Sequence, residues 1–271
     1  MSKINLGVAL VTGASSGIGD ATAKALQTAG FRVFGTSRRP TAEISDGVSM
    51  RSCDVTDDAS VAKLVDGLLA ETGRIDLLVN NAGVGLLGGA EESSTAQAQA
   101  LFDINVFGVL RMTNAVLPIM RRQHKGRIIN ISSILGLIPS PYNALYASTK
   151  HAIEGYSESL DHELRVFGIR VALVEPGFTR TSFEKSMTRP DRSSAIYDSV
   201  RAGMEAQMRK SVEGGDDPKV VAQAVVKAAT AAMPRRRYTA GKLARQVRFL
   251  RRFVPESAFD KSLRKQNNLP I

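Results

Sequence analysis

The chain has 271 residues, 43% of them apolar, which is enough to bury the core of one large α/β domain spanning residues 1–271. The single cysteine, Cys53, excludes an intramolecular disulfide framework. The formal net charge of +10 would suit a nucleic-acid-binding protein, but residues 234–271 hold eleven Lys or Arg and two acids, so the body is nearly neutral and nucleic acid is disfavoured as a partner.

The first residues carry no cleavage-site pattern, and no stretch approaches the roughly 18 apolar residues of a membrane span. With its one thiol, the chain is expected to be a soluble, cytoplasmic protein.

Short apolar runs bounded by Gly, Asn, Asp or Pro alternate with segments of helical spacing. Runs of this length predict strands that are buried on both faces. The intervening apolar residues recur at helical steps and end at Gly30 and Gly73. The alternation predicts a doubly wound parallel sheet with right-handed crossovers. The predicted strands are 7–12, 31–36, 48–53, 75–80, 127–132 and 169–175.

The segment TGASSGIG, residues 12–19, follows the first predicted strand and opens the first helix. Gly13 permits a tight turn, Gly17 lets the backbone approach a pyrophosphate, and Gly19 allows close packing of helix on strand. The helix N-terminus would favour the anion. The spacing GxxxGxG differs from GxGxxG, so an ordinary glycine-containing turn is the alternative for this motif taken alone.

The end of the second predicted strand, about 19 to 20 residues after the last glycine, is where a carboxylate would bind the ribose 2′-hydroxyl of NAD. The sequence has Arg38 and Arg39 there instead. A guanidinium makes charge-assisted hydrogen bonds to phosphate, so this pair favours NADP(H) over NAD(H), with a solvated surface pair as the alternative. Asp54 could accept a hydrogen bond from the adenine amine or cap the next helix.

Tyr146 and Lys150 stand four residues apart in YASTK and therefore share one face of a helix. Ser133 closes the strand RIINISS, and Asn105 lies in INVFG on the preceding helix. Reduction of a ketone builds negative charge on its oxygen, so a proton donor and a stabilising hydrogen bond are needed there. Lowering a phenol pKa of about 10 by roughly three units takes about 4 kcal/mol, for which the Lys150 ammonium, with the charge of the oxidised nicotinamide, is the expected source.

These motifs resemble the short-chain dehydrogenase/reductase family over residues 6–181. The matching elements are TGASSGIG, CDVTD, NNAG, Asn105, Ser133, YASTK and PGFTRT, in the order and spacing of the family. The resemblance implies a Rossmann fold and hydride transfer between a nicotinamide cofactor and a carbonyl or secondary alcohol. It also implies that Asn105, Ser133, Tyr146 and Lys150 are catalytic.

The resemblance further implies how these residues act. Ser133 would donate a hydrogen bond to the substrate oxygen, Lys150 would hold the nicotinamide ribose, and Asn105 would kink its helix and anchor a water that relays protons to Lys150. Asn80 would pin the neighbouring strand, and Gly83 would keep the backbone close to the cofactor.

The stretch PGFTRT would turn the chain beneath the nicotinamide and bond its carboxamide through Thr179 and Thr181, although the family more often has a branched aliphatic residue at position 179. The residues assigned to the cofactor are Gly13, Ser15, Ser16, Gly17, Ile18, Gly19, Arg38, Arg39, Asp54, Val55, Asn81, Ala82, Gly83, Tyr146, Lys150, Pro176, Gly177, Thr179 and Thr181.

Further stretches, among them GVGLLGGAEES, SPYNAL and RRRYTAGKLA, resemble the 17-beta-hydroxysteroid dehydrogenase-like branch of the family. This resemblance implies a hydrophobic steroid-, retinoid- or lipid-like substrate. A 3-oxoacyl-carrier-protein reductase is the alternative, because an acidic carrier would suit the basic tail. The side chains assigned to the apolar pocket, which could equally be core residues, are Leu86, Leu87, Leu137, Ile138, Tyr142, Leu145, Phe178 and Phe183.

Two segments do not fit the alternation of strands and helices. Residues 179–210 are polar and long enough to be a helical lid over the site. Residues 234–271 are a basic C-terminal extension, which includes a predicted amphipathic helix. That helix either packs on the fold as a solvated helix or contacts a membrane surface or an acidic carrier. Its apolar stripe is Leu243, Val247, Leu250 and Val254, and its basic stripe is Arg245, Arg248 and Arg252.

A working enzyme is favoured over a catalytically silent NADP-sensing regulator, because all four catalytic residues are present. The three histidines lack metal-ligand spacing, so no metal is expected. The resemblance implies a homo-oligomer.

Overall fold

The computed structural model describes residues 5–39 and 44–267, and the strands in these ranges form one sheet. Its strands are β1 (Val8–Val11), β2 (Arg32–Ser37), β3 (Ile44–Ser45), β4 (Val48–Ser52), β5 (Leu77–Asn80), β6 (Gly126–Ile131), β7 (Ile169–Pro176) and β8 (Arg237–Ala240). The spatial order is β3-β4-β2-β1-β5-β6-β7-β8. Every neighbouring pair is parallel except β3 with β4.

The predicted doubly wound parallel sheet is therefore confirmed, and each predicted strand is present within two residues of its expected bounds. Strands β3 and β8 were not predicted. β3 has two residues and pairs antiparallel with β4 across the turn at Asp46 and Gly47. β8 is an edge strand in which the buried Tyr238 and Ala240 alternate with half-buried residues, so it lacks the continuous apolar run of the central strands.

Helices cover both faces of the sheet. They are α1 (Gly17–Ala29), α2 (Asp58–Thr72), α3 (Thr95–Phe102), α4 (Gly108–Arg122), α5 (Ala144–Leu164), α6 (Asp198–Glu213), α7 (Pro218–Thr230), α8 (Lys242–Phe253) and α9 (Glu256–Gln266). α3 and α4 are joined without a break by a π-helical turn, Asp103–Phe107.

Two apolar cores follow from the alternation of side chains along the strands. In β1, Val8 and Leu10 point into a core completed by α2, α4 and α5. Ala9 and Val11 point into the opposite core, completed by α1 and α7. Burial on both faces explains why these strands are almost entirely apolar.

The continuous helix Thr95–Arg122 is long and apolar enough, by length and composition alone, to cross a membrane. In this fold it packs against the sheet, and Met112, Val116 and Met120 are fully buried in the first core. The interior of the domain therefore accounts for part of its apolar character, since 44% of its most apolar window is buried.

The order of strands reverses between β1 and β5, because the chain first adds β2 and β4 on one side of β1 and then returns to place β5 on the other. In an open α/β sheet, ligands bind in the crevice at the carboxyl ends of the strands at such a reversal. The fold therefore places the candidate site beside Thr12, which follows β1, and Asn81, which follows β5.

The C-terminal extension forms the helices α8 and α9, but its predicted stripes lie differently from expectation. Ala244 is the buried residue of α8, whereas Leu243 and Leu250 are 39% and 43% exposed. Arg248 of the basic stripe contacts the fold, because its Nη1 lies 3.7 Å from a carboxylate oxygen of the buried Glu175. Within the described ranges the helix packs mainly on β8, α9 and the turn at residues 134–136, which leaves part of its apolar stripe uncovered.

Candidate active site

The glycine-rich turn after β1 opens α1 directly beneath the crevice. Gly13 and Gly17 have φ of +65° and +57°, which disfavours any residue with a Cβ. A Cβ on Gly19 would lie 2.1 Å from the carbonyl oxygen of Gly13. The N-cap residue of α1, Ser16, forms no side-chain capping bond. The first amide groups of α1 are therefore available to an anion, as at other phosphate-binding helix N-termini.

The loop after β5 is tied to this turn by hydrogen bonds. The backbone N–H groups of Asn81 and Ala82 both donate to Thr12 Oγ1 at 3.0 Å. Asn81 Nδ2 donates to the carbonyl oxygens of Thr12 and Gly13 at 2.9 and 3.0 Å. Asn81 thus holds together the two segments that flank the strand reversal.

Asn80 is buried at the end of β5. Its Nδ2 donates to Asn130 Oδ1 at 2.9 Å and to Thr113 Oγ1 at 3.3 Å. Asn130 is its register partner on β6, so Asn80 pins the neighbouring strand as expected.

Asn105 lies within the π-helical turn and is 2% exposed. Its Oδ1 accepts from the Val84 N–H at 2.9 Å, and its Nδ2 donates to the Val84 carbonyl at 2.9 Å and to Thr149 Oγ1 at 3.2 Å. The side chain therefore joins the loop after β5 to the helix that carries Tyr146 and Lys150. The π turn supplies the local departure from α-helical geometry that the resemblance implied.

Tyr146, Lys150 and Ser133 meet at the carboxyl end of β6. Lys150 Nζ donates to the carbonyl oxygen of Ile131 at 3.0 Å and lies 5.7 Å from the centre of the Tyr146 ring. Ser133 begins the turn after β6, and its Oγ accepts from the Leu135 N–H at 3.1 Å. A phenol, an ammonium and a hydroxyl are thus brought into one wall of the crevice.

Burial shifts the pKa values of the two titratable groups toward their neutral forms. Desolvation raises the pKa of Tyr146 to about 12, and hydrogen bonding with Ser133 opposes this. Desolvation lowers the pKa of Lys150 to about 8, and the charge of Glu154 opposes this. Burial therefore opposes the expected lowering of the Tyr146 pKa, and the hydrogen bond with Ser133 favours it.

The crevice is a cavity of about 500 Å³, within the range of small-molecule and cofactor sites. Every residue assigned from the sequence to the cofactor lines it except Arg39, and Ser133 lines it as well. Both arginines are exposed, and of the two only Arg38 lines the cavity. Asn105 lies behind the cavity wall, where its Oδ1 accepts from the Val84 N–H and packs beside Gly83, and both of these residues line the cavity.

Arg38 stands at the end of the cavity formed by β2 and β4, and the residues that directly follow β2 are Arg38 and Arg39. Asp54 faces the same end, and its Oδ1 accepts from the N–H and the hydroxyl of Thr56 at 3.0 and 2.7 Å. These hydrogen bonds lower the pKa of Asp54, and the charge of Arg38 contributes to the same shift. The capping alternative for Asp54 is wrong, because Asp57 caps α2 by accepting from the Ala59 N–H at 2.9 Å.

The apolar end of the cavity differs from the predicted pocket. Of the predicted side chains, Phe178 and Phe183 line it, whereas Leu86 and Ile138 are buried in protein packing and Tyr142 stacks edge-on against Tyr197. Leu87 lines a smaller neighbouring groove, and Leu137 and Leu145 line neither. Sequence reasoning missed several lining residues, because their spacing carries no motif: Val84, Ile104, Ile134, Leu135, Ser140, Asn143, Ser186, Met187, Met208 and Val212.

Phe183 lies over the chemical end, with its ring centre 6.0 Å from that of Tyr146. It belongs to the stretch after β7 that continues into α6 and that the sequence predicts to be a lid. This stretch is held to the loop before α3 through Glu92, whose carboxylate is 1% exposed and pairs with Arg201 of α6. Glu92 Oε1 also accepts from the Ser194 N–H at 2.8 Å. Whether the stretch opens and closes stays a prediction.

A family model described as short chain dehydrogenase matches residues 7–192. A 3-ketodihydrosphingosine reductase of Bacteroides thetaiotaomicron is 37% identical over 95% of this chain and 96% of its own length. Retinol dehydrogenase 8 of Bos taurus is 37% identical over 83% of this chain and 78% of its own length.

Solved structures show the same architecture. A short-chain dehydrogenase from Streptomyces avermitilis superimposes with a TM-score of 0.82 at 34% identity, covering 98% of this chain and 96% of that one. A Burkholderia phymatum enzyme in complex with NAD has a TM-score of 0.78 at 28% identity, covering 92% and 94%. A metagenomic short-chain oxidoreductase in complex with NADP has a TM-score of 0.70 at 29% identity, covering 89% and 100%.

Proposed function

We propose that this chain, which belongs to the short-chain dehydrogenase/reductase family, reduces the carbonyl group of a hydrophobic, lipid-like substrate with NADPH. The family membership makes it an oxidoreductase with a nicotinamide cofactor; the choice of NADP(H) and of substrate is the proposal. The observation that carries it is one cavity with Arg38 at one end and Tyr146, Lys150 and Phe183 at the other.

The cavity residues fit a dinucleotide. The α1 N-terminus and the Gly13 turn would hold the pyrophosphate, because both line the cavity and a Cβ at Gly13 would lie 2.9 Å from the Ala82 Cα. Arg38 would bind a 2′-phosphate. The residues directly after β2 are both arginines, so this position holds no carboxylate that would repel the phosphate. When bound, the reduced nicotinamide supplies the hydride.

The chain's own residues then supply the proton and stabilise the developing charge. Tyr146 is neutral at physiological pH because burial raises its pKa to about 12, so its O–H can donate to the substrate oxygen as a general acid. Ser133 provides a second hydrogen-bond donor at the same wall. The ammonium of Lys150, 5.7 Å from the ring centre, stabilises the phenolate that the transfer leaves.

The lipid-like substrate is supported by the apolar end of the cavity, where Phe178, Phe183, Met187, Met208 and Val212 face the space beside Tyr146. Unbranched methionines adapt to irregular apolar ligands. Two relatives are a 3-ketodihydrosphingosine reductase and a retinol dehydrogenase, and their names favour the same substrate class.

The exposed face of α8 favours a second role, contact with an anionic membrane surface from which such a substrate would be drawn. Phe249 and Phe253 are 61% and 64% exposed, and their ring centres lie 4.8 Å apart. Basic side chains flank them along α8, so a second copy of the chain would be repelled and an anionic surface attracted. α8 also begins beside the cavity, with Leu243 Cβ 3.6 Å from the position of a Cβ on Gly177. The flanking residues are Lys242, Arg245, Arg251 and Arg252.

The deciding experiment is oxidation of NADPH with a panel of long-chain, steroid, retinoid and carrier-bound ketones. We expect turnover of at least one lipid-like ketone, and a loss of about 10²- to 10⁴-fold or more in Tyr146→Phe with unchanged NADPH binding. Exclusive turnover of the carrier-bound ketone would favour the 3-oxoacyl reductase alternative. NADPH binding without turnover of any member would favour the silent regulator.

A further inference from the structure

Two buried carboxyl groups that the proposed chemistry does not use lie behind the cavity wall. Glu154 is one helical turn after Lys150 on α5 and is 5% exposed. Glu175 is at the end of β7, immediately before Pro176 and Gly177, and is 0% exposed. The two acids therefore stand directly behind two segments that line the cofactor cavity.

Arg237 of β8 lies between these acids, but it cannot satisfy both. Its Nε donates to Glu154 Oε2 at 2.9 Å, and its Nη1 and Nη2 donate to Glu158 at 3.3 and 3.1 Å. The same Nε lies 3.3 Å from Glu175 Oε1, and Arg248 Nη1 lies 3.7 Å from Glu175 Oε2. The Nε, Nη1 and Nη2 atoms of Arg237 thus each donate a hydrogen bond to Glu154 or Glu158.

Within the described ranges, Glu154 Oε1 and both carboxyl oxygens of Glu175 have no hydrogen-bond partner. Ser132 Oγ is also buried without one. A Cβ on Gly136 would lie 2.7 Å from Ser132 Oγ and 2.9 Å from Glu154 Cγ, so the hydroxyl and Glu154 border the same small space. Buried polar atoms normally find partners, so unpaired acceptors on two acids that share one arginine need an explanation.

A proton resolves the conflict. Two ionised carboxylates near one guanidinium N–H repel each other, whereas a protonated carboxyl group becomes a donor and can bond a neighbouring carboxylate. Burial raises the pKa of Glu175 to about 7, the charge of Glu154 raises it further, and Arg248 and Arg237 oppose the shift. The charged groups that face the pair are Lys150, Glu158, Arg237 and Arg248.

We propose that Glu154 and Glu175 share one proton and act as positioning residues for the two cavity walls in front of them, so that loss of this proton to solvent at alkaline pH weakens cofactor binding. In the protonated state the acids attract, which holds α5 and the Pro176 turn together. In the doubly ionised state they repel across Arg237. The cofactor part of this inference rests on the proposed function, whereas the shared proton does not.

The test compares wild type with Glu175→Gln and Glu154→Gln, using Glu158→Gln as the matched control. The control removes an acid that also pairs with Arg237 but is 37% exposed and one turn farther from Lys150. The first readout is the melting temperature of the cofactor-free chain from pH 5 to 9. The second is the Kd for NADPH over the same range, measured by fluorescence titration.

A carboxyl group whose pKa is about 7 in the fold, against an ordinary 4.5, stabilises the fold fully below pH 4.5 and loses that contribution as pH rises through 7. We therefore expect wild type and Glu158→Gln to lose about 5 °C more than Glu175→Gln between pH 5 and 8, with Glu154→Gln in between. Glutamine at 175 mimics the protonated acid, whereas glutamine at 154 removes the repulsion and leaves Glu175 buried.

We also expect the Kd for NADPH to rise about threefold more across pH 7 in wild type than in Glu175→Gln. Equal melting slopes in wild type and both pair variants would overturn the shared proton. If the melting slopes differ between wild type and the pair variants but the Kd for NADPH changes with pH in parallel, the positioning role would be overturned. Absence of NADPH binding at every pH would contradict the proposed function and the positioning role, while the melting slopes would still decide the shared proton.

Discussion

At the residue scale, Arg38 and Arg39 are neighbours with different surroundings. Arg38 lines the cavity and influences Asp54, whereas Arg39 does not line it. A guanidinium next to a ribose 2′-phosphate contributes both charge and hydrogen bonds, so we assign the proposed NADP(H) preference to Arg38.

We predict that Arg38→Asp reverses the cofactor preference. The wild type should favour NADPH over NADH by at least tenfold in kcat/KM, a difference of about 1.4 kcal/mol, and the carboxylate should repel the 2′-phosphate and accept from the ribose hydroxyl of NADH. Arg39→Asp is the matched control and should keep the wild-type ratio. Equal kcat/KM with NADPH and NADH in wild type would show that Arg38 is a solvated surface residue without a role in cofactor choice.

The pH dependence of reduction should follow Lys150. Because burial lowers its pKa to about 8, the group is an ammonium below that pH and loses its charge above it. We expect the reduction rate at saturating NADPH to fall as pH rises through 8. Lys150→Arg stays charged over this range, so whatever rate it retains should show no such fall. A wild-type rate that is level to pH 9.5 would contradict the role of the ammonium.

At the element scale, the contacts between the stretch after β7 and the loop before α3 include one buried and one exposed side-chain pair. Glu92 is buried and pairs with Arg201 of α6, whereas Glu91 accepts a solvent-exposed hydrogen bond from Tyr197. A buried carboxylate contact is far more sensitive to loss of one partner than an exposed one. The buried contact should therefore govern how the stretch covers the cavity.

We predict that Glu92→Gln raises KM for a hydrophobic ketone about three- to tenfold, because α6 carries Met208 and Val212 of the cavity wall. The Kd for NADPH should change little, since the glycine-rich turn is untouched. Tyr197→Phe is the control and should leave both values near wild type. Unchanged KM in Glu92→Gln would show that the stretch does not depend on this contact.

At the scale of the whole molecule, charge is divided between a nearly neutral body and a basic C-terminal extension. α8 places part of that charge beside exposed aromatic rings, at the edge of the fold next to the cavity. Each basic residue near an anionic surface contributes about 1 kcal/mol at low salt, and the contribution is screened at high salt.

Changing Arg245, Arg251 and Arg252 together to Gln should therefore weaken sedimentation with phosphatidylserine vesicles by up to about 100-fold, with the effect lost at high salt. Arg248 is left intact because it contacts Glu175. The control, Arg121, Arg122 and Lys125 to Gln, removes the same charge from the exposed end of α4 and the turn that follows it. The rate on a small soluble ketone should be unchanged in both. If the wild type does not sediment with the vesicles at low salt, the membrane proposal is wrong.

Local patterns were sufficient to predict six of the eight strands described in the sheet, because strands buried on both faces are continuous apolar runs and the turns between them carry Gly, Asp or Asn. The glycine-rich turn and the YASTK helix were predictable for the same reason, since each is a short segment whose spacing sets its own geometry. The resemblance supplied the grouping of Asn105, Ser133, Tyr146 and Lys150, residues from three separate elements.

The apolar end of the cavity and the buried acids were decided by tertiary structure. Phe183, Met187, Met208 and Val212 line one cavity because the stretch after β7 folds over the crevice, and apolar side chains look alike in sequence whether they fill a core or a cavity. Glu154, Glu175 and Arg237 likewise come from three elements, and their conflict over one guanidinium exists only where those elements pack. Burial then sets the pKa values of Tyr146, Lys150 and Glu175, because desolvation depends on the surrounding atoms and not on neighbours in sequence.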